Sequence, residues 1–228
     1  MLQQKPIQTI SPCFLKNLSA KDLMQKLNQY QNDEIYFYVL TTLKWVNEEI
    51  IQQGCGPNLE GDLITLCTCK HYLRTFPDIK PNTWIAGLTS LNLSKKIRFP
   101  SLLFYLTRIS HVYDTHAELW NNLTKKQRGI KSASVNVLGD IYQPKSASIN
   151  FDGLNSKNYE APIPKHVHEP FYSNDINPGY KKTTKLIQGD FDLSFAWNKP
   201  KITWKGNPVG KGQRKLILRD FIAQLGDY

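Results

Sequence analysis

The residues best suited to chemistry lie in the second half of the chain. His166-Val167-His168-Glu169 puts two imidazoles two residues apart in a proline-rich stretch. Such a pair can act as acid and base near neutral pH. Gly139-Asp140-Ile141-Tyr142 offers a carboxylate beside a phenol. Asp140 could serve as a general base or orient a water, although the local pattern by itself favours a turn in which the Asp caps its own backbone. Cys67, Cys69 and His71 alternate. On a strand they would share one face, and His166 and His168 could complete a zinc site with them. Alternating cysteines are equally at home in a buried strand, and the usual two-residue gap between cysteine ligands is missing. No metal and no cofactor are therefore expected.

Cations form a second group. Lys70, His71 and Arg74 follow the same candidate strand, and cations at a strand end can grip a phosphate or carboxylate. The polar Gly54–Asn58 loop precedes that strand and could lie nearby. Further on, the run from Trp204 to Lys215 holds three glycines among four cations, Lys211 and Arg214 included. Exposed backbone N–H groups and positive charge there suit phosphate, with Trp197 and Trp204 available to stack on bases. The run lacks the Walker spacing. The dinucleotide glycine fingerprint, the serine-hydrolase elbow, the His-Glu-x-x-His zinc motif and the zinc deaminase pattern are absent too.

The elements that must position these groups read as one α+β domain with a mixed or antiparallel, curled sheet. Ser19 and Asp22 mark a capped helix over about 20–30, and Thr115 caps a second over 115–123. Strands are expected over 35–42, 63–69, 84–88 and 102–109, with one or two more over 185–195. Residues 140–182 read as a long loop region, and 221–225 as a closing helical turn. The N-terminal 1–34 reads as a helical extension to a domain over 35–228. The chain carries 29 Lys and Arg against 19 Asp and Glu, a net charge of +10. Residues 181–228 hold 10 Lys/Arg and 4 Asp/Glu, which is +6 of that total. A localised positive field suits a polyanion such as DNA. No apolar run is long enough to cross a bilayer, the first ten residues lack an apolar signal core, and four cysteines are too few for a disulfide scaffold. A cytoplasmic protein with no membrane partner is expected.

Read in order, Gly56-Pro-Asn58, Thr65-Leu-Cys-Thr-Cys-Lys70 with Arg74, Trp84-Ile-Ala-Gly87, Gly139-Asp-Ile-Tyr142, His166/His168 and Leu186-Ile-Gln-Gly-Asp-Phe191 form a series. It resembles the second type of the nucleotide-modification-associated domain family, over about residues 35–195, with Gly210-Lys-Gly-Gln-Arg214 as a weaker tail. Thr83 stands where that pattern has an acid, and Phe191-Asp-Leu-Ser-Phe195 departs from its aromatic ending. The resemblance implies work on DNA bases or nucleotides in bacteria and phages. It implies one site formed by Asn58, Lys70, Arg74, Asp140, Tyr142, His166 and His168. The expectation is an enzyme that excises a modified base from DNA. Asp140 would stabilise the developing positive charge or orient water, His166 or His168 would assist the leaving base, and the tryptophans and basic tail would hold the strand as the base flips out. A non-catalytic reader of modified DNA and a base-modifying transferase are the alternatives.

Overall fold

A computed structural model describes residues 6–93, 101–146, 152–179, 184–199, 201–207, 209 and 212–227. Lys211 lies outside the described residues. In chain order the elements that matter are β1 (Ile7–Gln8), α1 (Ala20–Leu27), β2 (Glu34–Leu40), β3 (Leu43–Val46), β4 (Glu49–Gln53), β5 (Thr65–Leu66), α2 (His71–Arg74), β6 (Trp84–Thr89) and β7 (Leu103–Tyr113). There follow α3 (His116–Asn122), α4 (Lys125–Lys131), α5 (Tyr172–Ile176), β8 (Leu186–Ala196), β9 (Ile202–Trp204), β10 (Gln213–Ile217), α6 (Leu218–Ile222) and β11 (Leu225–Asp227). Six strands form a mixed sheet in the order β10-β2-β6-β7-β8-β5, in which β2 and β6 run parallel and the other neighbours antiparallel. The chain is an α+β fold, as its sequence indicates.

β2 is apolar at nearly every position because it is buried on both faces. Ile35, Phe37 and Val39 point into a core shared with α1, α6 and β9, where Phe37, Trp204 and Phe221 meet at ring centroid distances of 4.9–5.2 Å. Tyr36, Tyr38 and Leu40 face the opposite core, under the β3–β4 hairpin and α2. On that second face Tyr38 and Tyr105 flank Gly87 across the strands, and their hydroxyls bond at 2.7 Å. A Cβ at Gly87 would lie 2.4 Å from the Tyr105 ring, so glycine permits the crossing.

The N-terminal segment is built into the same core: β1 pairs with β4, the Phe14 carbonyl accepts the Ala196 N–H, and Leu23 and Leu27 are fully buried. Ser19 caps α1 and Thr115 caps α3, both through the expected side-chain oxygens. The strand expected over 63–69 is shorter, Thr65–Leu66 alone, because the backbone turns to a left-handed Lys70 (φ 58°) that starts α2. The β3–β4 hairpin and β10 go beyond the sequence reading. The hairpin turns on Asn47 and Glu48, both at positive φ, where Gly is the usual signal. The run read as a basic loop ends in an edge strand, β10, paired with β2. The described residues of the 140–182 region are largely irregular, with short helical turns and α5.

Gly139 makes a close backbone contact: a Cβ there would sit 2.4 Å from the Ser132 carbonyl carbon and 2.5 Å from the Ala133 nitrogen. Backbone cannot give way as a side chain would, so Gly139→Ala is expected to destabilise by about 2–3 kcal/mol. Gly129 inside α4 has no atom within 4 Å of the same test position, and Gly129→Ala is expected to stabilise by about 0.5–1 kcal/mol. Urea unfolding midpoints of the two variants should move in opposite directions.

Candidate active site

A cavity of about 490 Å³ opens at the carboxyl end of β2, walled by residues 38–42, Cys55, Gly56, Thr68, Cys69, Lys70, His71 and His168. This volume lies within the range of small-molecule sites, about 300–1,000 Å³. Three segments far apart in sequence bring its chemistry together. Cys55 sits on the loop after β4, Cys69 on the turn between β5 and α2, and His168 on the loop before α5. The Lys70 turn aims both Cys69 and His71 at the cavity, at the cost of a conformation that a non-glycine residue adopts only when its surroundings enforce it. Arg74 enforces it: its Nε donates to the Cys69 carbonyl at 2.8 Å and its Nη1 to the Lys185 carbonyl at 2.7 Å.

Asp175 organises the histidines. Its Oδ2 accepts from His168 Nδ1 at 2.7 Å and from the Tyr142 hydroxyl at 2.8 Å, and its Oδ1 lies 3.1 Å from His71 Nε2. With Nδ1 so engaged, His168 turns Nε2 toward Cys69 Sγ, 3.7 Å away. Burial alone would push the Asp175 carboxyl up, but the bonds from His168, His71 and Tyr142 outweigh it and hold the carboxyl down at about 2. Burial likewise opposes charge on His168, yet Asp175 and then Cys55 raise its imidazole to about 10. Cys55 and Cys69 behave as one unit. The bond from Cys69 and then His168 lower the Cys55 thiol, while the bond to Cys55 and burial raise Cys69. The lowered thiol of Cys55, the raised thiol of Cys69 and the raised imidazole of His168 are thus linked at one point. Lys70 stands over the Tyr38 ring, 4.5 Å from its centroid.

The structure distributes the sequence candidates unevenly. His168 and Lys70 line the cavity. Tyr142 reaches the site through Asp175. His166 is buried: Nε2 donates to the Gly139 carbonyl at 2.7 Å and Nδ1 accepts the His168 N–H at 3.1 Å, so it holds the His168 backbone. Asp140 is 2% exposed and accepts from Thr65 Oγ1 at 2.8 Å, away from the cavity wall. Asn58 is buried with Lys131, whose Nζ donates to its Oδ1 at 2.8 Å. Arg74, 1% exposed, serves the carbonyls named above. The base-stacking role expected of Trp197 and Trp204 is corrected: both are core residues whose indole N–H groups donate to the carbonyls of Leu18 and Asn207. Arg214 lies exposed on β10. Of the alternating trio, Cys67 is fully buried, Cys69 meets His168 directly and His71 reaches it through Asp175. Sequence reasoning missed Cys55 and Asp175. The two glycines around Cys55 and the nearness of Asp175 to His168 were the only local signals.

Comparison with protein-family models, with curated proteins and with solved structures finds no match to this chain.

His116 supports the site from below, accepting the Tyr142 N–H on Nδ1 at 3.3 Å. Burial, then the charge of Arg74, lower its imidazole to about 3 from an ordinary 6.5. As pH falls below 6.5 the unfolded chain binds a proton there that the folded chain refuses, so stability is lost as pH falls toward 3. Between pH 7 and 5 this one group is expected to remove up to about 2 kcal/mol. Urea unfolding at both pH values should show that loss shrinking in His116→Gln, relative to wild type.

Proposed function

We propose that this chain is an enzyme of covalent thiol catalysis acting on a nucleobase or nucleotide. The Cys55–Cys69 pair supplies the nucleophilic thiolate, with Cys69 the sulfur in contact with His168; His168 is its acid–base partner and Asp175 the group that orients His168. One observation carries the reading: Cys69 Sγ, His168 Nε2 and Asp175 Oδ2 form a hydrogen-bonded chain, at 3.7 Å and 2.7 Å, on the wall of a cavity. A nucleophile, a base within reach and a third group fixing that base is the general arrangement for activating a thiol. Cys55 shares the thiolate.

The substrate class draws on different support. The cavity size suits a base with its sugar, and its wall combines apolar strand residues with the positive groups Lys70 and His168. Tyr72 and Phe171, beside His71 and close after His168 in the chain, are 60% and 65% exposed. Such rings are available to stack on neighbouring bases. The net charge of +10 favours a phosphate-bearing ligand. The electrophile that a pyrimidine offers a thiolate is C6, conjugated to a carbonyl. Addition there forms an S–C6 bond and moves the ring electrons to C5, which takes a proton or another electrophile. Elimination reverses the step. The hydrolytic route through Asp140 draws no support from the burial of that carboxylate.

Iodoacetamide at about pH 6, where an ordinary thiol with a pKa of about 8.5 is nearly all protonated, is expected to alkylate Cys69 or its partner Cys55 at least tenfold faster than Cys13. Asp175→Asn should slow this labelling. With DNA and nucleotides carrying tritium at pyrimidine C5, wild type should release tritium to water and Cys69→Ser should not. Labelling of the site no faster than of Cys13 overturns the nucleophile. Fast labelling with retention of DNA but no exchange turns the reading toward a binding module.

A further inference from the structure

Cys55 is surplus to the chain of Cys69, His168 and Asp175, yet it converges on the same point. Cys55 Sγ, Cys69 Sγ and one nitrogen of His168 lie within 4.8 Å of one another. Cys69 Sγ and His168 Nε2 are 3.7 Å apart. With zinc–sulfur bonds of about 2.3 Å and zinc–nitrogen bonds of about 2.0–2.1 Å, neighbouring ligands of a tetrahedral ion sit roughly 3.5–3.8 Å apart. The three atoms need only small adjustments to share one ion.

The imidazole is also set as a metal ligand is set. A ligating histidine commonly donates its other ring N–H to a carboxylate, which fixes the tautomer and raises ligand basicity. His168 does this through Nδ1 to Asp175 Oδ2 at 2.7 Å. All three residues line the cavity, so a fourth position would face it. Two sulfurs and a nitrogen select a soft or borderline ion over magnesium or calcium.

We propose that Cys55, Cys69 and His168 bind one zinc-class divalent ion, with the fourth coordination position open to the cavity. Binding forms two metal–sulfur bonds and one metal–nitrogen bond, and the remaining thiol proton and the Nε2 proton of the His168 imidazolium leave to solvent. The binding stands on the geometry alone. Its consequence rests on the function proposed above: an ion that takes the lone pair of Cys69 blocks the nucleophile, so the loaded protein is the inhibited form.

Cobalt(II) is the probe. One equivalent added to reduced, chelator-treated protein should produce thiolate-to-cobalt charge-transfer absorption and the strong visible bands of a tetrahedral ion, both displaced by zinc. Cys55→Ser should abolish the two-thiolate spectrum, and Asp175→Asn should weaken affinity about 10–100-fold. In the wild type, where no variant can misfold, zinc should protect Cys55 and Cys69 from iodoacetamide while Cys13 stays reactive, and a chelator should reverse this. Absence of a one-equivalent cobalt spectrum, or a spectrum unchanged in Cys55→Ser, overturns the site. Fast labelling of Cys69 in metal-free protein stands or falls separately, so loss of the metal site leaves the nucleophile intact, and the converse holds too.

Discussion

The carboxylate of Asp175 is the point on which the site depends. It is 5% exposed, and it takes hydrogen bonds from a phenol and two imidazoles that reach it from three separate segments. A buried carboxylate without such partners would cost several kcal/mol and would take up a proton instead. With them it stays ionised and fixes the tautomer of His168, so that Nε2 and no other atom meets the sulfurs. The strands contribute indirectly. β2 and β6 run parallel with both faces buried, and the cavity forms where β2 ends and the chain leaves the sheet.

Several polar residues that look chemical in the sequence do structural work around that point. Lys131 is 1% exposed, and its Nζ donates to both the Asn58 carbonyl and Asn58 Oδ1. Asn58 Nδ2 donates in turn to the Leu138 carbonyl, and Asp140 receives the Thr65 hydroxyl. This network ties the segment after Cys55 to the turn at Gly139, whose carbonyl anchors His166, whose ring anchors the His168 backbone. Removing one partner from a buried charged group costs about 3–5 kcal/mol because the other is left uncompensated. A residue can therefore be indispensable to the site without touching anything that enters it.

Four of the six sheet strands, β2, β6, β7 and β8, were legible from apolar, β-branched or aromatic runs bounded by turn residues, whereas β10 was not read and β5 was read too long. The helix caps at Ser19 and Thr115 were legible for the same local reason. The site was only half legible. His168 and Lys70 stood out by type, but Cys69 meets His168 across 99 residues and Asp175 meets His71 across 104, and Cys55 joins them with no motif spacing to mark the set. Trp197 and Trp204 misled in the opposite sense. A tryptophan beside a basic run reads as a stacking platform, yet the bulk of the indole makes it at least as useful to a core. Here each ring also finds a carbonyl for its N–H.

A thiolate poised to attack carbon and a thiolate poised to hold a metal demand much the same surroundings: partial desolvation, a nearby positive charge and an imidazole of fixed orientation. What separates them is the second sulfur. One thiol with His168 and Asp175 makes a nucleophile. Cys55 Sγ, within 4.8 Å of the other two ligand atoms, supplies the second sulfur that a metal site calls for. The His168–Asp175 bond serves either state, since it stabilises an imidazolium beside a free thiolate and aims a neutral ring nitrogen at a bound ion. Because both states draw on the Cys69 lone pair, they exclude one another. On the two proposed readings, the state of the cavity is set by which partner, carbon or metal, holds that sulfur.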